Sequence, residues 1–256
     1  MCTFVILRRP GNDWPIIIGA NRDEMKDRPW QPPGRHWPDR EDVMAGKDDL
    51  AGGTWLGVND SGLVAGVLNR RDSLGPKEGY RSRGELPLEI LSHVDASDAA
   101  DALADINPNA YRPFNAVFAD NRDAYWLRLA ETKWGPHAEV HPIPSGLSLI
   151  TSSDRNDMSS PRIRNYLPQF EKAEVPNPDV GNWSAWKSLF SSRVYDLNDG
   201  PQGAMMISTD TGFGTVSSSL IALPSSSYVS SGYNIKPIYL FSQVAPTLTN
   251  YKPVNL

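Results

Sequence analysis

The chain has one cysteine, Cys2, in 256 residues. A lone thiol excludes an intramolecular disulfide framework and argues for a reducing compartment, here read as the cytoplasm. No stretch approaches the ~20 consecutive apolar residues of a membrane span. The short apolar run after Met1 precedes its arginines, the reverse of a secretory signal, and reads as a first strand. There is no excess of positive charge: 25 basic against 30 acidic residues give a formal charge of −5. That balance supports neither a nucleic-acid surface nor a polybasic membrane anchor. The four histidines include His137 and His141 at a spacing that binds metal on a helix, but Pro136, Val140 and Pro142 oppose a helix there, so no metal site is expected. Gly-Lys-Ser/Thr phosphate cradles, Gly-x-Ser-x-Gly elbows and calcium-loop patterns are also missing. A Ser-His-Asp triad, which is defined by geometry, stays open.

What is present begins at Cys2. Its small side chain permits removal of Met1 by a methionine aminopeptidase. The thiol would then lie beside a free α-amine. A free thiol has a pKa of about 8.5 and an α-amine of about 7.7 to 8.0, so near neutrality the amine can accept the proton. A nucleophile served by its own terminal amine performs acyl transfer without histidine.

The coarse pattern is strands, then helices, then strands. Thr3 to Arg8 and Pro15 to Ala20 read as a hairpin around Pro10-Gly11-Asn12-Asp13. Asn21-Arg22-Asp23-Glu24 follows as a polar turn at the end of the second strand, a common mount for catalytic groups. Trp55 to Asn59 and Leu63 to Asn69 form a second pair, and Asn69 ends it with a carboxamide able to donate to an oxyanion. Gly84 to Ile106 turns helical through Leu86, Ile90, Leu91 and Val94, with Ser97 as a plausible N-cap of a second helix. Asn115 to Ala119 and Ala124 to Leu129 read as a hairpin, and Leu147 to Ser152 as a further strand. Ser159 to Arg193 is mostly helical, with Trp183, Trp186, Leu189 and Phe190 on one face. Thr215 to Leu223 and Ile235 to Phe241 close the fold. Trp14, Trp55 and Trp126 lie in apolar patterns and are expected in the core. Such blocks favour a layered α+β or α/β arrangement, and no linker divides residues 1–256, which reads as a single domain.

Together, the Met-Cys start, Asn21-Arg22-Asp23-Glu24, Gly52-Gly53-Thr54-Trp55-Leu56-Gly57, Arg83-Gly84-Glu85-Leu86 and Phe114-Asn115 resemble the NRDE family, also called the transport and Golgi organisation protein 2 family. The later part departs from it: Ser152-Ser153-Asp154 stands where the family tends to have Ser-Asn, and Gly214-Thr215-Val216 where it often has Gly-Thr-Arg. More distantly, the N-terminal half is similar to the choloylglycine and penicillin V acylases. These are N-terminal nucleophile hydrolases with a four-layer αββα sandwich, and that fold is the expectation here.

The acylase resemblance implies Cys2 as nucleophile, Asp23 as support for its amine and Asn69 as an oxyanion donor. It puts Ala20 where those acylases carry an arginine, and Ser152 or Ser153 where they carry a second asparagine. Asn21, Arg22 and Arg83 are expected to meet substrate, Arg22 through a carboxylate suited to its planar fork. The implied activity is hydrolysis of an amide-type C–N bond in a small acyl substrate, with no cofactor. The NRDE resemblance equally implies a non-catalytic carrier of haem or of lipid or acyl-CoA, in which Cys2 would ligate iron. The oligomeric state is left open.

Overall fold

A computed structural model describes residues 2–231, 235–243 and 250–256. In chain order its strands are β1 (Thr3–Arg8), β2 (Ile16–Met25), β3 (Trp30–Gly34), β4 (Val43–Asp48), β5 (Leu56–Asn59), β6 (Val64–Asn69), β7 (Phe114–Ala119), β8 (Ala124–Thr132), β9 (Gly135–Pro142), β10 (Gly146–Ile150), β11 (Phe213–Leu223), β12 (Ile238–Ser242) and β13 (Lys252–Pro253). The helices that concern us are α1 (Leu86–Ile90), α2 (Ala96–Leu103), α3 (Pro161–Lys172) and α4 (Ser184–Phe190).

The chain divides into two compact units. The first, Met1–Arg28 with Ser145–Leu256, holds a six-stranded sheet in the order β10-β1-β2-β11-β12-β13. Its strands pair antiparallel throughout. Strand alternation sends Val5, Leu7, Ile17, Leu220 and Ala222 to one face. There they pack against Ile163, Tyr166, Phe170, Trp186 and Phe190 of α3 and α4. Gly19 lies on the same face, where an added Cβ would meet the Phe190 ring at 2.2 Å. The glycine is therefore what lets α4 approach the sheet.

The second unit, Pro29–Pro144, is a seven-stranded antiparallel sheet running β3 to β9 in chain order. Val43, Ala45, Ala65, Phe114, Ala116, Phe118, Leu127 and Leu129 face Leu86, Ile90 and Leu91 of the α1 segment and Ala96, Ala99 and Leu103 of α2. Two of the sequence motifs meet here. A Cβ on Gly53 would lie 2.4 Å from the Gly84 carbonyl, and Thr54 N–H donates to that carbonyl at 2.8 Å.

Three expectations need correction. Asn21 to Glu24 is not a turn. β2 runs on through Met25 because β11 pairs with it to the end, Thr215 opposite Asp23 and Phe213 opposite Met25. The stretch from Gly84 to Ile106 holds two helices, as read, but Val94 belongs to neither and lies exposed between them. The N-cap of α2 is Asp95, whose carboxylate accepts from Asp98 N–H at 2.9 Å; Ser97 lies inside the helix. Trp14, Trp126, Trp183 and Trp186 are buried, as their apolar settings imply, while Trp55 is half-buried. No helix among the described residues is long and apolar enough to cross a membrane.

Gly53→Ala should be costly, because the obstructing atoms are backbone and cannot rotate away. We expect a loss of about 1–3 kcal/mol, the usual range for overpacking. It would be read as a lower midpoint in urea, and a wild-type midpoint would show that the two segments separate freely.

Candidate active site

The ends of β1, β2 and β11 bring together most of the residues singled out from the sequence. Thr3 pairs with Asn21, and Asn21 in turn with Ser218. Along β2, Asn21 and Asp23 point to the helical face with Gly19; Arg22 points to the opposite face. β11 carries a bulge between Thr215 and Ser217, opposite Asp23 and Arg22. The extra residue, Val216, reverses the alternation, so Thr215 faces the helices and Ser217 does not.

Asp23 is held by an extended network. Its Oδ1 accepts from Thr215 Oγ1 at 2.6 Å and its Oδ2 from Arg162 Nη1 at 3.0 Å. The same Arg162 nitrogen donates to Thr3 Oγ1 at 2.6 Å, and Thr215 Oγ1 accepts from Ile207 N–H at 2.9 Å. Thr3, Asp23, Arg162 and Thr215 are all buried. A buried carboxylate needs a counter-charge and hydrogen bonds, and this one has both. Arg162 was not singled out from the sequence. The available signal is its spacing: with Tyr166 and Phe170 it forms the i, i+4, i+8 stripe of α3's buried face, where an arginine is out of place unless paired. It places a cation on Asp23 although Val216 stands where the family often has arginine.

Cys2 precedes β1 and is half-buried. Its thiol donates to the Asp23 backbone carbonyl at 3.6 Å. Burial pushes the thiol pKa up, and the Asp23 carboxylate adds to the rise. The resting group is therefore a neutral thiol that needs a base to become a nucleophile. Because its ionisation is disfavoured in the folded protein, the resulting contribution to stability is present below the ordinary thiol pKa. It is lost as pH rises through the higher folded value.

The remaining residues divide between the units. Asn21 is buried and donates through Nδ2 to the carbonyls of Phe190 at 2.9 Å and Met205 at 3.0 Å, tying β2 to α4 and to the segment before β11. Arg22 is buried on the other face, with Nη2 3.9 Å from Glu24 Oε2. Ser152 and Ser153 follow β10 and are buried; Ser153 Oγ lies 3.2 Å from Thr151 Oγ1. In the second unit Asn69 is the last residue of β6, opposite Phe114. Arg83 donates through Nη1 to Ser73 O at 2.7 Å, Ser73 Oγ at 2.9 Å and Pro113 O at 3.1 Å, fixing the loop that follows β6. His137 and His141 lie on β9, paired to Ala130 and Trp126 of β8, so the stretch is a strand and not a helix. No cluster of metal-ligating side chains occurs among the described residues.

Solved structures share this architecture. The N-acylethanolamine-hydrolyzing acid amidase ortholog of Caenorhabditis elegans matches with a TM-score of 0.56 at 13% identity, covering 86% of this chain and 92% of its own. A mutant of the conjugated bile acid hydrolase from Clostridium perfringens matches with a TM-score of 0.55 at 12% identity, covering 100% and 92%. Penicillin V acylase from Agrobacterium tumefaciens gives 0.50 at 13%, covering 95% and 83%. At such identities the likeness establishes the fold alone: the αββα sandwich of the N-terminal nucleophile hydrolases, as expected. The family is given by sequence. The model of the Transport and Golgi organisation 2 family matches residues 1–230, and the chain belongs to that family. The mouse homolog is 32% identical over 117 residues, which are 43% of this chain and 40% of that protein. The human homolog is 30% identical over 117 residues with the same coverage. The match thus spans about two-fifths of the length of these relatives.

Two outcomes follow from the geometry. Asp23→Asn leaves Arg162 buried without its counter-charge, so it should cost about 3–5 kcal/mol of stability. Asp23→Leu combined with Arg162→Met should recover most of that loss in a urea titration; additive losses would show that the pair is not coupled. In protein that retains Met1, the pH midpoint for alkylation of Cys2 by iodoacetamide should lie above that of the urea-unfolded chain. Coincident midpoints would contradict the buried, carboxylate-flanked thiol.

Proposed function

We propose that this protein is an N-terminal cysteine hydrolase of the cytoplasm, cleaving an amide-type C–N bond in a small acyl substrate. The observation that carries the reading is the arrangement around Cys2. Its thiol lies at the open end of β1, against the carbonyl of a residue whose carboxylate is fixed by Arg162 and Thr215. With Met1 removed, the Cys2 amine takes the thiol proton as sulfur attacks the acyl carbon. The C–N bond then breaks, and the proton passes to the departing nitrogen. Water next attacks the thioester, releasing the carboxylic acid and restoring the thiol. Asp23 orients the amine. Asn69, with a backbone N–H, is proposed as the oxyanion donor on the strength of the acylase resemblance. Such a donor is typically worth ~3–4 kcal/mol of barrier.

The family's description speaks of transport, which favours the competing reading of a haem, lipid or acyl-CoA carrier. A thiol held neutral by burial weighs against a resting thiolate on iron and suits a nucleophile activated only during attack. The two readings part at Cys2→Ser. In a hydrolase this change should lower turnover of acyl amides by at least about 100-fold, since the hydroxyl proton is far harder to remove, while substrate binding persists. Haem binding that depends on Cys2, with no acyl amide turned over by the native protein, would replace the hydrolase with the carrier.

A further inference from the structure

β9 ends the seven-stranded sheet, and among the described residues no strand pairs with its outer edge. An open edge is a template for another strand. The register with β8 decides which of its backbone groups point outward. Ile143 N–H donates to Ala124 O at 2.8 Å, one step beyond the Tyr125–Pro142 pairing, so these two residues are a hydrogen-bonded pair. In an antiparallel ladder such pairs alternate. Gly135, His137, Glu139 and His141 therefore bond to β8, while Pro136, Ala138, Val140 and Pro142 turn their backbone groups outward. Both prolines fall where the ladder needs no N–H, as expected of an edge strand. They stand at the ends of the edge and leave the Ala138 and Val140 N–H groups between them. Neither N–H donates to another element among the described residues.

The side chains along this edge complement one another about a two-fold axis. His137, Glu139 and His141 share the face of Arg128, away from α1 and α2. Glu139 accepts from Arg128 Nη1 at 2.9 Å, with His137 Nε2 and His141 Nε2 at 3.6 and 3.7 Å. Suppose a second copy pairs antiparallel with Ala138 opposite Ala138. Glu139 of each copy then meets His137 of the other, and Val140 meets Pro136. His141 meets Gly135, which has no side chain to disturb the imidazole packed on Trp126 at 5.4 Å between ring centroids. The same register brings the β8–β9 hairpin tip level with the exposed Pro142 of the second copy. That tip carries Trp134, 86% exposed, whose indole gains an apolar surface there. Other registers do worse. Centring on Glu139 sets carboxylate against carboxylate, which is unfavourable. Centring on Val140 shortens the overlap and carries the hairpin tip past the end of β9.

We propose that β9 is a self-association surface, through which two copies of this chain join their seven-stranded sheets about a two-fold axis at Ala138. Ala138 N–H of each copy donates to Ala138 O of the other, and Val140 N–H to Pro136 O. So short a ladder makes a small contact, and the dimer belongs to the weak, transient class. It asks nothing of Cys2 and stands apart from the hydrolase reading.

Sedimentation equilibrium of the native chain at up to ~1 mM is the first test. A monomer–dimer equilibrium with a dissociation constant below ~1 mM is expected, and a monomer throughout overturns the proposal. Ala138→Pro removes an outward N–H and none from the β8 ladder, so it should weaken the dimer at least about tenfold. Undiminished association of that variant overturns the proposal. His137→Glu should weaken the dimer about fivefold, and adding Glu139→His should restore it, because the swapped pair is complementary again. Equal weakening by the single and double variants overturns the register centred on Ala138. Cross-linking decides the matter even if the proline variant does not fold. In a Cys2→Ala background, Ala138→Cys should oxidise to a linked dimer, since hydrogen-bonded partners lie about 5.5 Å apart at Cα, within disulfide reach. Glu139→Cys, diagonal to its own copy, should link far less. Failure of the Ala138→Cys protein to link, or preferential linkage of Glu139→Cys, overturns the proposed pairing.

Discussion

The buried pair between Arg162 and Asp23 is the interaction on which the candidate site depends. Taking a guanidinium and a carboxylate out of water is expensive, and the cost is offset only where geometry and further hydrogen bonds are good. Here they join four elements. Arg162 reaches from the start of α3 to Asp23 in β2 and to Thr3 in β1, and Thr215 of β11 completes the carboxylate's shell. Thr3 is the residue after Cys2. The pair that keeps Asp23 oriented therefore also anchors the strand end that carries the thiol. Removal of either partner is expected to disturb position and charge together, which is why a double substitution separates the two effects better than a single one.

β2 divides its work between two faces. Gly19, Asn21 and Asp23 look toward the helices, where glycine admits the Phe190 ring and Asn21 binds the Phe190 and Met205 carbonyls. These contacts are internal and explain the residues by packing and hydrogen bonding. Arg22 looks the other way, with Ser217 of β11 opposite it. A tetrapeptide that reads as one polar unit in sequence is thus split by strand alternation between the two faces of the sheet, Asn21 and Asp23 on one and Arg22 and Glu24 on the other.

Much of the fold was legible because its inner strands are runs of apolar and β-branched residues: β1, the start of β2, β6, β7 and β11 announce themselves. The strands that escaped lie mostly at sheet margins. β3 contains Pro32 and Pro33, and β9 is bounded by Pro136 and Pro142 and carries two histidines; both are edge strands, where proline is tolerated and polarity is unexceptional. The end of β2 was misread as a turn because its polar side chains find partners far along the chain. Cys2 and Asp23 could be singled out by motif. Arg162 and Thr215 bind Asp23 across 139 and 192 residues of sequence, a distance over which no local pattern carries information. For Arg162 the one local sign was a cation on the apolar stripe of an amphipathic helix.

The central claim is that Cys2, as the first residue, becomes acylated during turnover. Its most direct test is intact-mass spectrometry of the native protein, acid-quenched while hydrolysing an acyl amide. The account predicts protein lacking Met1, with a fraction heavier by the acyl group and that mass located on the N-terminal peptide at Cys2. Full activity in protein that retains Met1, or an acyl adduct at any other residue, would contradict it.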